Sequence, residues 1–103
     1  MRMIVKHKFN AVKTTCDGIK FASKKEARRY EDLKRLMSHG EVLFFLRQIP
    51  FGLPGNSKYV CDFQIFWHDG HVTFEDVKGF KTPMYKLKKK QVESLYPIKI
   101  IEV

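Results

Sequence analysis

The feature that most constrains the fold is a pair of strand-like segments separated by a very short turn. KYVCDFQIFW spans residues 58–67 and HVTFEDVK spans residues 71–78, with His68-Asp69-Gly70 between them. Side chains alternate between the two faces of a strand. The first segment therefore has one fully apolar face, which must belong to the core, while Asp62 lies on its other face.

The length of the turn decides whether two acids meet. A two-residue Asp69-Gly70 loop would place Asp62 and Asp76 on opposite faces of the sheet, whereas a three-residue loop beginning at His68 would set them directly across from each other. In three-residue hairpin loops a type I turn is followed by a left-handed residue, a role that suits Gly70. The sequence leaves both registers open, and a functional site at these acids predicts the three-residue form or a compensating bulge.

Helix signals flank the three central strands. Ser23 and Glu26 form a capping-box pattern at the start of a first helix, and Gly40 marks its end. Thr82 followed by Pro83 marks the start of a second helix, which Pro97 ends. An apolar stripe at three- and four-residue spacing is expected to face the sheet in each helix. The stripe consists of Ala27, Tyr30, Leu33, Leu36 and Met37 in the first helix and of Met84, Leu87, Gln91 and Leu95 in the second.

Three further segments complete the predicted fold. Asp17-Gly18 between two short β-type runs indicates an N-terminal hairpin. EVLFFLRQIPF predicts a strand that is buried on both faces and closed by Pro50, and IKIIEV predicts a final strand. Together the segments predict an α/β fold, a mixed sheet flanked by two helices in the order α-β-β-β-α-β. We expect one domain over residues 1–103, with a hairpin extension over residues 1–22 and a core over residues 23–103.

The charge of the chain favours a polyanionic partner. There are 20 Lys and Arg residues against 11 Asp and Glu residues, a formal net charge of +9, and nucleic acid is the commonest partner of small basic domains. No apolar run approaches the ~20 residues that span a bilayer, and we expect no membrane partner. The N-terminal MRMIVKHKF is too short and too charged for a signal peptide. Cys16 and Cys61 match no metal spacing and are expected to be buried thiols, so we expect a cytoplasmic protein.

The paired acids suit divalent-metal chemistry. Carboxylates that oppose each other across a strand pair repel by a few tenths to ~1 kcal/mol, and a divalent cation between them removes that repulsion. Such oxygen ligands suit Mg²⁺ or Mn²⁺. Lys78 lies one pleat beyond Asp76, where it could position a water or neutralise a phosphate. Glu75, on the opposite face, is expected to form an ion pair or to lie at an edge. A solvated strand edge with the same residues is the alternative.

At these residues the sequence resembles the PD-(D/E)XK nuclease superfamily. The match consists of Cys61-Asp62 followed, after 13 residues, by Asp76-Val77-Lys78. The longer motifs DGIKFASKKEARRY, RQIPF, FEDVKGFKTPMYKLKKK and YPIKIIEV are similar to a family of small phage-encoded proteins. That family was long catalogued as a domain of unknown function and is assigned to the superfamily. The resemblance implies a restriction-endonuclease-like core over residues 23–103.

The resemblance also implies roles for individual residues. Asp62 and Asp76 would be metal ligands, the carbonyl of Val77 a third ligand, and Lys78 the catalytic lysine. Glu26 matches the helix-borne acid that many members use as a further ligand. It is also a capping-box residue, and the two roles do not exclude each other.

Two departures from the superfamily pattern limit the assignment. The residue before the first acid is Cys61 rather than proline, a variation that the superfamily tolerates. The recombination-type exonuclease branch has a Gln followed four residues later by Tyr, whereas here Gln91 is followed at that spacing by Leu95, so that branch is not assigned. Gln48 and Gln91 are each expected either to lie beside the site or to make an ordinary edge or helix–sheet contact.

The implied activity is metal-dependent hydrolysis of DNA. We expect an endonuclease that uses Mg²⁺ or Mn²⁺, selects branched, recombining or replicating phage DNA by its structure, and works in the host cytoplasm, with a homodimer as one arrangement. A non-catalytic DNA-binding module on the same fold and an RNA- or ribosome-binding domain are the alternatives. Basic side chains on and before the two helices are expected to contact DNA phosphates. These are Lys24, Lys25, Arg28, Arg29, Lys81, Lys86, Lys88, Lys89 and Lys90.

Overall fold

The computed structural model describes residues 14–103, and the predicted N-terminal extension before residue 14 lies outside the described residues. The described part is a mixed α/β structure with two helices, which confirms the predicted fold class and the order of its elements. The elements are β1 (Thr14–Cys16), β2 (Ile19–Phe21), α1 (Lys24–Ser38), β3 (Val42–Leu53), β4 (Ser57–Trp67), β5 (Val72–Asp76), α2 (Pro83–Leu95) and β6 (Ile100–Glu102).

The strands form a small hairpin and a four-stranded mixed sheet. β1 pairs with β2, and the larger sheet has the order β3-β4-β5-β6. The β3–β4 and β4–β5 pairs are antiparallel, while β5 and β6 are parallel. The parallel pair needs a crossover, and α2 provides it. Neither described helix is long and apolar enough to cross a membrane.

The turn between β4 and β5 has the three-residue form. Phe63 pairs with Glu75 and Phe66 pairs with Val72, a register that sets Asp62 across from Asp76. Gly70 has a φ of +96°, the left-handed conformation that this loop demands of its last residue. The first condition that the sequence set for a site at the two acids is therefore met.

Local signals placed the ends of both helices correctly. The hydroxyl of Ser23 accepts a hydrogen bond from the Glu26 amide at 3.1 Å. At the other end of α1, Gly40 has a φ of +80° and its amide donates to the Met37 carbonyl at 3.0 Å, which ends the helix with a left-handed glycine. Thr82 caps α2 by accepting from the Tyr85 amide at 3.0 Å.

The core consists of two clusters that share strand β4. Phe63 and Ile65 pack against α1, where Leu33 is fully buried, and against the β1–β2 hairpin. Tyr59 and Cys61, earlier on the same strand, belong to a second cluster with α2 residues and Ile100. The alternating apolar side chains of β4 therefore change their packing partner on either side of Asp62, which places this acid at the junction between the two helices.

Two predictions about the apolar segments are wrong. β3 is not buried on both faces, since Leu43 is 58% exposed and Phe44 is 45% exposed. It also continues through Pro50, which pairs with Val60, to Leu53. Both errors have one cause: β3 is the outermost strand of the described sheet, and an edge strand tolerates proline because one side of it has no ladder to interrupt.

The predicted inward stripe of α2 is also wrong. Met84, Leu87 and Leu95 are all more than half exposed, whereas Tyr85 and Val92 are buried. The helix carries a second apolar row, about a quarter turn away from the first, and that row faces the sheet. The α1 stripe is confirmed at Ala27, Tyr30 and Leu33, which are buried, while Leu36 is partly buried and Met37 is exposed.

Candidate functional site

The two predicted acids lie side by side and are held by each other's backbone. The Asp62 amide donates to Asp76 Oδ1 at 3.1 Å, and the Val77 amide donates to Asp62 Oδ2 at 2.9 Å. These crossed hydrogen bonds follow from the hairpin register and fix both carboxylates at the end of β5. The structure therefore brings Asp62, Asp76 and Val77 together as the sequence predicted.

Asp76 is the most enclosed of the candidate ligands. Its side chain is fully buried, and the hydroxyl of Tyr59 donates a short hydrogen bond to Oδ2. Burial raises the pKa of the Asp76 carboxyl, and the positive charge of Lys78 acts in the opposite direction. Both oxygens of Asp76 thus have donors in this arrangement, and the acid stays tied to the protein rather than to solvent.

Glu26 approaches the same place from α1. Its backbone amide takes part in the helix cap while its side chain is turned inward and is only 5% exposed. Burial and then the charge of Asp62 raise the pKa of the Glu26 carboxyl. The capping role and a role beside Asp62 are therefore compatible in one residue, because different groups of Glu26 perform them.

Gln48 links the two acids that come from different elements. Its Nε2 donates to Glu26 Oε2 at 3.4 Å and to Asp62 Oδ1 at 3.4 Å. The sequence left this residue open between a site contact and an edge contact. The turn at Gly55 joins β3 to β4 and sets their register, in which the pairs on either side of Gln48 place it opposite Asp62. That turn is the sequence signal from which the position of Gln48 could have been predicted.

Lys78 lies just beyond the end of β5, beside the acids. Its Nζ lies 4.7 Å from the centre of the Tyr85 ring, a cation–π contact that fixes the direction of the side chain. Its carbonyl accepts from Lys25 Nζ at 3.3 Å. The charge of Lys78 lowers the pKa of both Asp76 and Glu26 against the larger effect of burial, so this ammonium group lies within electrostatic reach of both acids.

Tyrosines and a further acid near Asp76 were not predicted. Glu102 on β6 pairs with Asp76 in the parallel register and accepts from the Tyr85 hydroxyl at 2.8 Å. Lys81 lies 2.9 Å from the other oxygen of Glu102, and this ion pair followed by the Tyr85 bond lowers the pKa of the Glu102 carboxyl. The alternation of IKIIEV identifies Glu102 only once the pairing of β6 with β5 is known.

Seven of the nine predicted DNA-contacting residues line one of two cavities near β6. One is a cavity of about 240 Å³ that Val103 also lines, and the other is a cavity of about 360 Å³ that Glu102 also lines. Val103 packs against the core cluster that contains α1 residues, whereas Glu102 accepts from Tyr85 of α2, so the two cavities open on different faces. The first contains Lys25, Arg28 and Arg29, and the second contains Lys81, Lys86, Lys89 and Lys90.

Some of these basic side chains already have partners. Arg29 Nε and Nη2 each donate to one Glu75 carboxylate oxygen at 2.8 Å. The ion pair expected of Glu75 is therefore present, and its partner is a residue that the sequence predicted to contact DNA. Lys88 donates to the Lys58 carbonyl at 3.1 Å, and Lys89 lies 3.8 Å from Glu93. Lys24 is exposed at the start of α1.

Gln91 is not among the donors to the acids. Within residues 14–103 the hydrogen bonds to the carboxylates of Asp62 and Asp76 come from Gln48, Tyr59 and two backbone amides. Gln91 lies partly buried on α2. The prediction that Gln91 belongs to the sheet-facing stripe of α2 is wrong, because Met84, Leu87 and Leu95 of that stripe are exposed.

The donor chemistry of the site fits a hard divalent cation, although the described side chains do not converge on one point. Carboxylate and carbonyl oxygens from Asp62, Asp76, Glu26 and Val77 are the donor type that Mg²⁺ and Mn²⁺ prefer. Among residues 14–103, no three His, Cys, Asp or Glu side chains are grouped as metal ligands. The physical reason lies at Asp76, whose two oxygens are directed to Tyr59 and to the Asp62 amide. Each carboxylate oxygen can accept more than one contact, so a metal would bind Asp76 through a remaining lone pair or in exchange for one of these bonds.

Comparison with known proteins identifies the family of the chain. No curated protein matches the sequence. A protein family described as "Protein of unknown function (DUF1064)" matches residues 6–101. This match covers nearly the whole chain, including Glu26, Gln48, Asp62, Asp76, Val77 and Lys78. The chain belongs to that family of proteins of unknown function.

Proposed function

We propose that this protein is a metal-dependent DNA endonuclease of the PD-(D/E)XK type. The observation that carries the proposal is the β4–β5 register, which sets Asp62 beside Asp76 with Lys78 at the end of the same strand. The resemblance in sequence assigns ligand and catalytic roles to these three positions. Two opposed carboxylates repel each other and so lower the stability of the fold. Titratable groups in such surroundings are typical of functional sites.

The chain's own residues divide the work between holding a cation and holding a phosphate. Asp62, Asp76 and the Val77 carbonyl would hold Mg²⁺ or Mn²⁺, with Glu26 as a further ligand. When bound, such a cation supplies Lewis-acid activation of water and neutralises phosphate charge. The Lys78 ammonium, held over Tyr85, binds the phosphate that is cut and stabilises the charge that develops on it.

DNA binding is supported by the basic cavities. Lys25 and Arg28 lie on one side of β6, and Lys86 and Lys90 lie on the other. Lysine and arginine contacts to phosphates provide affinity without reading sequence. We infer a substrate recognised by its structure, branched or recombining DNA of a phage in the host cytoplasm, as the resemblance to phage-encoded proteins implies.

The activity is tested by DNA cleavage. Supercoiled, linear, single-stranded and four-way-junction DNA are incubated with the protein in Mg²⁺, Mn²⁺ or EDTA. We expect cutting that requires metal, is strongest on one structured substrate and is lost in Asp62→Ala and Asp76→Ala. Glu41→Ala removes an exposed carboxylate outside the site and is expected to cut like the wild type. Equal cutting by Asp76→Ala and wild type would disprove the catalytic role of the acids.

A non-catalytic DNA-binding module is the second candidate, and one observation favours it. Asp76 is fully buried with donors on both oxygens, an arrangement that a purely structural acid would also show. This module would bind DNA equally well with Mg²⁺ or EDTA and would cut none of the four substrates. Metal-independent DNA binding without cleavage therefore selects the second candidate over the first.

A further inference from the structure

The backbone of Gln48 is strained in the middle of a regular strand. Its φ is +54°, in the left-handed region that residues with a side chain rarely adopt. The ladder is regular on both sides, because Arg47 pairs with Phe63 and Ile49 pairs with Cys61. The strain therefore serves neither a turn nor a change of register, and its cause must lie in where the side chain points.

The side chain of Gln48 points at the two acids. One amide nitrogen lies 3.4 Å from an oxygen of Glu26 and 3.4 Å from an oxygen of Asp62. An amide group carries two hydrogens, and each can serve one carboxylate. Both bonds are long, as expected for one nitrogen shared between acceptors that belong to a helix and a strand.

The acids need such a donor because they repel each other. Glu26 is buried and faces the negative charge of Asp62, and like charges in a site of low polarity separate unless something holds them. Gln48 itself is exposed, so burial of its own side chain does not explain its conformation. Strained residues of this kind cluster at functional sites, where the surrounding structure imposes the conformation.

We propose that Gln48 is a positioning residue that holds the Glu26 and Asp62 carboxylates close enough to share one divalent cation. The proposal rests on the proposed function, because it assumes that these acids bind metal. It assigns Gln48 no contact with the cation or with DNA. In this account the backbone of Gln48 is strained because its side-chain amide must point from the edge strand β3 towards Glu26 on α1 and Asp62 on β4.

The test compares two glutamines on the same sheet. Gln48→Met removes the amide and keeps a side chain of similar length, and Gln64→Met makes the same change two residues from Asp62 on β4. Mn²⁺ binding is measured by calorimetry on the full chain, with circular dichroism to verify that each variant is folded. Removing the hydrogen-bond partner of a metal ligand typically weakens metal binding by 10- to 100-fold. We expect a loss in that range for Gln48→Met and none for Gln64→Met.

Each outcome separates this inference from the proposed function. Wild-type binding of Mn²⁺ that is abolished in Asp62→Asn supports the metal site. Unchanged affinity in Gln48→Met, alongside such a loss in Asp62→Asn, overturns the role of Gln48 alone. Absence of Mn²⁺ binding by the wild type overturns both. A second variant, Gln48→Gly, accepts the left-handed backbone without strain, and it must also lose affinity, since the amide rather than the backbone is the proposed device.

Discussion

At the scale of single residues, the candidate site is a set of acids kept in unfavourable surroundings. Asp76 is fully buried and Glu26 is 5% exposed, and burial raises the pKa of both carboxyls. Groups that cost stability and lie together at one place are typical of functional sites.

The raised pKa of Asp76 predicts a specific dependence of stability on pH. Between its ordinary value of 3.8 and its raised value, the folded protein holds the proton more tightly than the unfolded chain does. The free energy of unfolding therefore falls as pH rises through that interval. Asp76→Asn removes this contribution, so we expect the variant to lose that part of the slope and to be more stable than the wild type near neutral pH.

Urea unfolding of both proteins at a series of pH values from about 4 to 7 checks this prediction. Glu41→Gln, at an exposed carboxylate between α1 and β3, is the control and should follow the wild type. If the variant is less stable than the wild type at neutral pH, the Asp76 carboxylate stabilises the fold, which would contradict this prediction.

At the scale of elements, α1 is joined to β5 by one ion pair. Arg29 donates two hydrogen bonds of 2.8 Å to the Glu75 carboxylate. The Glu75 side chain is 5% exposed, and that of Arg29 is 24% exposed. Removing one partner of a buried pair leaves an uncompensated charge. Because Arg29 is partly exposed, we expect Arg29→Met to cost about 2–3 kcal/mol.

The neighbouring arginine provides the matched control for this prediction. Arg28 is exposed, and we expect Arg28→Met to change stability by less than ~0.5 kcal/mol while weakening DNA binding. Thermal unfolding and DNA binding are measured for both variants. Equal stability of the two variants would contradict a structural role of Arg29 in joining the helix to the sheet.

The two apolar rows of α2 lead to opposite expectations. Val92 is fully buried and Leu87 is 52% exposed. We expect Val92→Ala to destabilise the protein by about 2 kcal/mol through the cavity that it leaves. Leu87→Gln should change stability by no more than ~0.5 kcal/mol. The reverse order in urea unfolding would mean that the predicted stripe, not the observed one, faces the sheet.

The same helix explains how far sequence reasoning reaches. Caps at Ser23 and Thr82 are local signals that placed the helices correctly. The loop ending at Gly70 left two registers open, and only the observed pairing of β4 with β5 sets Asp62 across from Asp76. The face of α2 was missed because two apolar rows run along it, and only the position of the sheet distinguishes them. The partners of Asp76 and Arg29 depend on the pairing of distant strands, which no local pattern contains.

At the scale of the whole molecule, basic side chains lie in two separate groups near the end of β6. The net charge is +9, and basic residues of α1 and α2 line cavities on the two faces of β6. Asp76 lies on β5, the strand that pairs with β6, and Asp62 lies across from it on β4. A DNA strand crossing this end of the sheet would meet positive charge on both sides of the carboxylates.

This arrangement predicts how salt affects DNA binding. Each phosphate contact contributes about 0.9 to the slope of log K against log salt concentration. The double variant Lys86→Gln/Lys90→Gln is expected to reduce the magnitude of that slope by about 2. Lys20→Gln/Lys99→Gln changes the net charge equally outside the predicted contacts. Equal slopes for the two double variants would show that the α2 cavity does not bind phosphate.

The most direct test of the metal site is the anomalous scattering of Mn²⁺ in crystals of the wild-type protein. The account predicts one peak bounded by Asp62, Asp76 and the Val77 carbonyl, with Glu26 directed towards it. It also predicts that one oxygen each of Asp62 and Asp76 lies within ligand distance of that peak. A peak elsewhere, or a peak that the oxygens of Asp62 and Asp76 do not reach, would contradict the assignment of these acids as the metal ligands of a nuclease.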